Sequence, residues 1–263
     1  MASPHYPQQN HLLAALPQEE YARLRPHLEL VPLPLGHVVG QSGGKQHYVY
    51  FPTTAIASRL SVMENGETTE ITMIGNEGII GIALFMGGES PAIRTVVQSA
   101  GFAYRLKVLL LNEEFARCDA LQQLLLRYTQ ALLTQIAQTA VCNRHHALDQ
   151  QLCRWLLHTL DRSESLDLVL TQEQIANMLG VRREGVTEAA GNLRRAGLIE
   201  CHRGHITVID RAGLEERCCE CYAVVKNDFN RLLPGIVVSQ PRRSAVIGRP
   251  AALPLMTHQV PHQ

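Results

Sequence analysis

Residues 112–144 contain neither proline nor glycine, and their apolar side chains recur with a helical period. At about 1.5 Å per residue such a helix is roughly 45–50 Å long. It carries two apolar stripes. Leu121, Leu125, Tyr128 and Leu132 step by four, three and four, and Leu126, Leu133, Ile136 and Ala140 make a second face. One small domain cannot cover both. The spacing therefore predicts one face against the chain's own core and one against a partner subunit, with Leu121, Leu125, Tyr128 and Leu132 as the dimer face. Gln135 and Thr139 continue that stripe, and a helix buried inside a monomer is the alternative.

Different textures flank this helix. Residues 12–28 read as a short amphipathic helix (Leu12, Leu16, Tyr21, Leu24, Leu28), which Pro32 and Pro34 bar from continuing. From Leu30 to Leu111 short apolar runs alternate with turn residues. The runs are His47–Phe51, Ala55–Met63, Thr69–Ile74, Ile79–Phe85 and Ile93–Ser99. Gly43-Gly44, Asn65-Gly66, Gly75-Asn76 and Gly87-Gly88 separate them. This is the pattern of an all-β sandwich or roll, and Asn65-Gly66 is a hairpin signal. After the long helix, Leu148, Leu152, Trp155, Leu156 and Leu160 mark another helix, and residues 211–233 a terminal one. Residues from Pro234 onward read as a flexible tail.

Residues 171–209 are the most specific segment. Thr171 through Gln174 form a capping box, and the helix runs through Ile175, Ala176, Met178 and Leu179 to a turn at Gly180. A second helix begins near Arg182, carries Val186, Ala189 or Ala190, and Leu193 inward, and stops at Gly197. A small Ala176 four residues before Gly180 and an apolar Val186 six residues after it suit two helices in close approach. That is a helix-turn-helix. Leu198–Cys201 and His205–Ile209, joined at His202-Arg203-Gly204, give a β-hairpin wing.

In such a module the start of the second helix meets base edges. Arg182, Arg183, Glu184, Thr187 and Glu188 are the candidate base readers. Thr171, Arg194, Arg195, His202 and Arg203 are the candidate phosphate contacts. A winged helix used for protein contacts is the competing reading, and two arginines at the groove-facing start favour DNA.

The order of β-roll, long helix, hinge and winged helix resembles the Crp/Fnr superfamily of bacterial transcription regulators. The match covers roughly residues 12–215 and is strongest at Leu170–Ala176, Gly180–Glu184, Asn192-Leu193 and Gly197–Ile199, with Gly75–Gly81 resembling the family's roll. The resemblance implies an α+β fold: an N-terminal double-stranded jelly-roll-like sensor (1–112), a dimerisation helix (113–145) and a winged helix-turn-helix (146–233), followed by the tail (234–263). It implies a homodimer with a parallel coiled coil, a two-fold symmetric double-stranded DNA site, and contact with RNA polymerase. Arg183 and Glu184 stand where the family has its base-reading pair, whereas Glu188 replaces a position that is often basic.

The sensor departs from the family pattern. Cyclic-nucleotide binders follow the glycine with an acid for the ribose and carry Arg-Ser or Arg-Thr for the phosphate. Here Ile82 follows Gly81, and Arg94-Thr95 resembles the phosphate pair. Gly81, Ile82, Arg94 and Thr95 are thus the candidate effector pocket, with weak or no cAMP binding expected. A different effector, such as a cyclic dinucleotide in the roll or at the dimer helices, is the alternative. No cysteine precedes Cys118, which argues against the family's N-terminal iron–sulfur cluster. His37 and His47 read as exposed residues rather than heme ligands.

Charge and composition weigh on the remaining classes. The chain has 24 basic and 24 acidic residues, which excludes a protein that coats DNA by bulk charge alone. Residues 182–211 hold six arginines against four acids, and Arg242, Arg243 and Arg249 lie in an acid-free tail. No run approaches the roughly 18 apolar residues of a membrane span. Residues 1–5 lack the pattern of a secretory signal. Seven irregularly spaced cysteines suit reduced thiols in a cytoplasmic protein. A continuous helix would make Cys219 and Cys221 diverge by about 200°, so a core role is expected for Cys218–Cys221 and no metal site. His145-His146 reads as a hinge cap. No cupin-type His-x-His cluster, P-loop, Gly-x-Ser-x-Gly or Gly-x-Gly-x-x-Gly motif is present, so no catalytic residues and no enzyme are expected.

Overall fold

The computed structural model describes residues 5–40, 46–88, 93–163 and 165–234. The expected tail, with Arg242, Arg243 and Arg249, and the Gly43-Gly44 turn lie outside these residues. The architecture is α+β, with N-terminal antiparallel sheets, a long helix and a C-terminal helix-turn-helix with a small wing sheet.

The N-terminal helical pattern is two pieces, α1 (His11–Ala14) and α2 (Gln18–Leu24), divided at Pro17. Among the described residues seven strands follow: β1 (Glu29–Leu33), β2 (Val38–Gly40), β3 (Tyr48–Pro52), β4 (Ile56–Val62), β5 (Thr68–Ile74), β6 (Ile93–Ser99) and β7 (Gly101–Lys107). They form two antiparallel sheets, ordered β1-β7-β3 and β2-β6-β4-β5. The Asn65-Gly66 turn joins β4 to β5. Gly66 adopts φ +85°, and the Asn65 side chain accepts the Glu67 amide. The run Ile79–Phe85 is not a strand. Only Ile80 bridges to Tyr50, and Ile82–Phe85 form a 3-10 turn entered through Gly81 at φ +99°.

The long helix is also shorter than its proline-free run. Helix α3 (Val108–Ala116) ends before Cys118, which sits at φ +61°, and α4 runs from Ala120 to His145. The buried Glu20 carboxylate on α2 accepts the amides of Ala120 and Leu121 at 3.1 and 2.9 Å. A carboxylate satisfies the exposed amides of a helix start and suits its dipole.

The two stripes of α4 take the opposite roles to those expected. Leu121, Leu125, Tyr128 and Leu132 are buried inside the subunit. They join Val49, Phe51 and Leu106 of the roll and Val225 and Phe229 of α9 (Glu220–Leu232) in one core. They are therefore not free to face a partner. Leu126 and Leu133 are more than half exposed, with Val141 beside them. The stripe with Tyr128 goes inward because α9 packs against it. Phe229 meets the Tyr128 ring edge-on at 6.3 Å, and Thr134 donates to Asp228 at 2.6 Å.

Helix α5 (Leu148–Leu160) is buried along nearly its whole length, because it lies between the roll and the winged helix. One core joins Ile56 and Met73 of the roll to Trp155, Leu156, Ile175 and Val186. The terminal helix is likewise two pieces, α8 (Arg211–Arg217) and α9. Cys218 and Cys219 between them are extended, with ψ of 155° and 163°, so the expected helical divergence of Cys219 and Cys221 does not apply.

Candidate nucleic-acid interface

The C-terminal unit comprises β8 (Asp167–Val169), α6 (Gln172–Leu179), α7 (Arg183–Arg195), β9 (Ile199–His202), β10 (His205–Val208) and α8. Thr171 accepts the Gln174 amide at 3.2 Å, and the Gln174 side chain accepts the Thr171 amide at 2.8 Å. This closes the capping box and fixes where α6 begins. Gly180 ends α6 at φ +66°, a conformation that suits glycine. Ile175, Ala176 and Leu179 pack against Val186, Ala189, Ala190 and Leu193, and that packing turns the opposite face of α7 to solvent. The wing is a three-stranded antiparallel sheet, ordered β8-β10-β9.

A groove runs between the start of α7 and the wing. Leu170, Thr171, Gln172, Arg183, Cys201, His202, Arg203 and His205 line it. It continues along α7 past Thr187, Gly191 and Arg194. Arg183, Thr187, Gly191 and Arg194 form one stripe, since residues four and three apart share a helix face. Thr187 donates to Gln172 at 2.8 Å, which ties the stripe to the start of α6. Burial pushes the Cys201 thiol in the groove above its ordinary range.

Most of the expected DNA contacts meet here: Arg183 and Thr187 with Thr171, Arg194, His202 and Arg203. The others are placed differently. Arg182 lines a separate cleft against the roll with Met63, Glu67, Thr69 and Asn177. Glu184 and Glu188 are exposed on the neighbouring stripe of α7. The Arg195 side chain bonds Asn192. Gln172 was missed by the sequence reading, although its place just after the Thr171 cap was the available signal.

The four expected effector residues do not share a face. Arg94 is exposed on β6, its neighbour Thr95 is buried on the other side of the strand, and Ile82 packs in the core with α1 and α2. Two buried carboxylates of the roll instead bond α5 and the turn that follows it. Arg162 donates to Glu77 at 2.7 Å, and the Trp155 indole donates to Glu70 at 3.2 Å. Burial raises the Glu70 carboxyl even though Ser58 and Trp155 donate to it. Burial, reinforced by Arg162 and Arg154, holds the His158 imidazole well below its usual range.

An exposed helix stripe bearing two arginines, facing a wing with a third, defines a DNA-binding protein of the winged helix-turn-helix class. Residues 150–217 match the Crp-like helix-turn-helix domain family. A Crp/Fnr-family regulator from Eubacterium rectale superposes at TM-score 0.60 and 16% identity, covering 80% of this chain and 98% of its own. FixK2 from Bradyrhizobium japonicum gives 0.60 and 16%, covering 73% and 98%. The c-di-GMP responsive regulator CLP from Xanthomonas campestris gives 0.58 and 14%, covering 74% and 100%. No curated protein matches the chain. At these identities the whole-chain likeness is one of fold. The domain match gives residues 150–217 a Crp-like helix-turn-helix for binding DNA, within a chain that has the fold of these regulators. Among the described residues no helix is long and apolar enough to cross a membrane.

Proposed function

We propose that the chain is a cytoplasmic homodimer that reads a two-fold symmetric DNA site and acts on RNA polymerase. The carrying observation is the shared groove of Arg183, Thr187, Arg194, His202 and Arg203. In this reading Arg183, the first residue of α7, makes bidentate bonds to a guanine edge, and Thr187 reads one turn further in. Arg194, His202 and Arg203 contact phosphates on either side, and the start of α6 at Thr171 and Gln172 meets another. Glu184 and Glu188 accept from cytosine amino groups when the helix is seated.

The partner subunit meets the outward face of α4. Leu126, Leu133 and Ala140 recur every seven residues, with Ala137 between the last two, which suits a coiled-coil seam. The sensor is degenerate toward cAMP: Ile82 cannot accept from a ribose hydroxyl, and Arg94 faces solvent.

The test is selection of bound DNA from a random pool with the wild type and with Arg183→Ala. It is run with and without nucleotides, including cAMP and, because CLP responds to it, c-di-GMP. A palindromic motif is expected from the wild type, with base preference relaxed at one position of each half-site in the variant. No enrichment, or an unchanged motif in Arg183→Ala, overturns the reading.

A further inference from the structure

Four metal-ligating side chains converge where α4 ends and α9 begins. Cys142 lies in the last turns of α4, and His146 caps the helix four residues on, its backbone N–H donating to the Cys142 carbonyl. The extended backbone at Cys218 and Cys219 turns the chain so that Cys219 and Cys221 both face them. The Cys142 and Cys219 sulfurs are 3.5 Å apart, and the Cys221 sulfur is 3.5 Å from His146 Nδ1. All four donor atoms lie within 4.8 Å of one another, and the three cysteines are buried.

The two 3.5 Å spacings suit a single small ion. Zinc bound tetrahedrally at about 2.3 Å from sulfur and 2.0–2.1 Å from nitrogen holds its donors roughly 3.4–3.8 Å apart. A polynuclear iron–sulfur cluster places its own irons and sulfides between the thiolates and needs a wider ring. Three thiols and one imidazole are a donor set of closed, structural zinc sites.

The surroundings agree. His146 Nε2 lies 3.4 Å from a Glu220 carboxylate oxygen. A carboxylate on one ring nitrogen orients the other toward a metal. Three thiolates around a divalent ion leave one net negative charge. The buried Arg154 guanidinium, which donates to Thr139 at 3.1 Å, is close enough to act on Cys142, Cys218 and Cys221.

We propose that Cys142, His146, Cys219 and Cys221 bind one zinc ion, which clamps the end of α4 to the start of α9. Binding displaces the thiol protons to solvent. The clamp joins the helix with the outward apolar face to α9, the helix that follows the C-terminal unit.

The experiment uses the full chain, reduced, stripped with a chelator, and titrated with Zn(II) against a chromophoric competitor. Co(II) is the spectroscopic probe. One ion per chain is expected, with the strong visible bands of tetrahedral Co(II) and a thiolate-to-cobalt charge-transfer band. Cys219→Ser is expected to weaken Zn(II) more than a hundredfold, and Glu220→Gln about tenfold, in line with the 10–100-fold cost of losing an outer partner. Cys118→Ser, outside the cluster, leaves affinity unchanged. An octahedral Co(II) spectrum, a stoichiometry well below one, or full affinity in a folded Cys219→Ser variant overturns the proposal. So does a reduced wild type that takes up no metal while mild oxidation yields a Cys142–Cys219 disulfide. The wild-type Co(II) spectrum and competition decide the matter even where a variant fails to fold.

Discussion

Arg162 at the end of α5 and Glu77 in the roll are paired at 2.7 Å, with side chains 5% and 2% exposed. Glu77 also accepts the Gly75 amide, and Arg162 donates to the His158 carbonyl. The pair lies on the junction between sensor and reader. Removing one partner strands the other charge away from water. Arg162→Met is therefore expected to cost about 3–5 kcal/mol in denaturant unfolding, with the double variant Glu77→Leu/Arg162→Met recovering most of it. A single variant of wild-type stability would show that the junction is not closed in solution.

The groove separates two kinds of arginine. Arg183→Ala should relax base preference at one position of each half-site, losing about 1–3 kcal/mol of discrimination. Arg203→Ala should weaken all sequences alike and reduce the salt slope of binding by about 1. Binding isotherms at several salt concentrations distinguish them, and the same behaviour from both variants would contradict the assignment.

On α4 the two apolar faces give opposite outcomes. Leu133→Glu should yield a folded monomer by sedimentation, because the residue is 55% exposed within the subunit. Tyr128→Ala should destabilise the subunit itself by about 3–5 kcal/mol, as for other large core aromatics. A dimeric Leu133→Glu variant would move the seam elsewhere.

His158 gives the junction a pH dependence. Its folded-state pKa lies below the ordinary 6.5, so the folded protein binds fewer protons than the unfolded chain. The stability is then complete above about 6.5 and declines as pH falls through that value. Glu70 has the opposite sign: its raised folded-state value favours the docked state as pH falls toward the usual carboxylate range. His158→Gln isolates the first effect and should flatten the acid side of the stability profile; an unchanged slope would count against a buried neutral imidazole.

Millimolar cAMP is expected to leave Tm unchanged, since a ligand stabilises only by binding the folded state. A clear upward shift would mean that the Arg94 region still holds a phosphate.

Local features were legible. The capping box, the Gly180 turn and the Asn65-Gly66 hairpin each depend on residues within a few positions, and each formed as read. Features set by distant partners were not. The start of α4 is fixed by Glu20, a hundred residues earlier. The inward face of α4 is chosen by the roll and α9, and two apolar stripes look alike until those partners are known. The cysteine cluster was hidden by the assumption of one terminal helix; two extended residues reverse its geometry. Arg182 adjoins Arg183 in sequence but faces a different cleft, because Arg182 is the N-cap, with extended backbone, and Arg183 is the first helical residue.

Glu77 to Arg162 and Glu70 to Trp155 fasten α5 to the roll, and Asp161 to Arg211 and Tyr222 fastens the end of α5 to α8 and α9. Bonds of this kind have direction, so they fit in one register only. A greasy seam could creep under load, trading contacts as it slid. A rotation of α5 against the roll would instead have to break both of its bonds to Glu77 and Glu70, and packed elements settle into discrete alternatives rather than a continuum. A DNA-reading helix carried on such a junction is expected to move as a latch does, seated or sprung, with no useful position between.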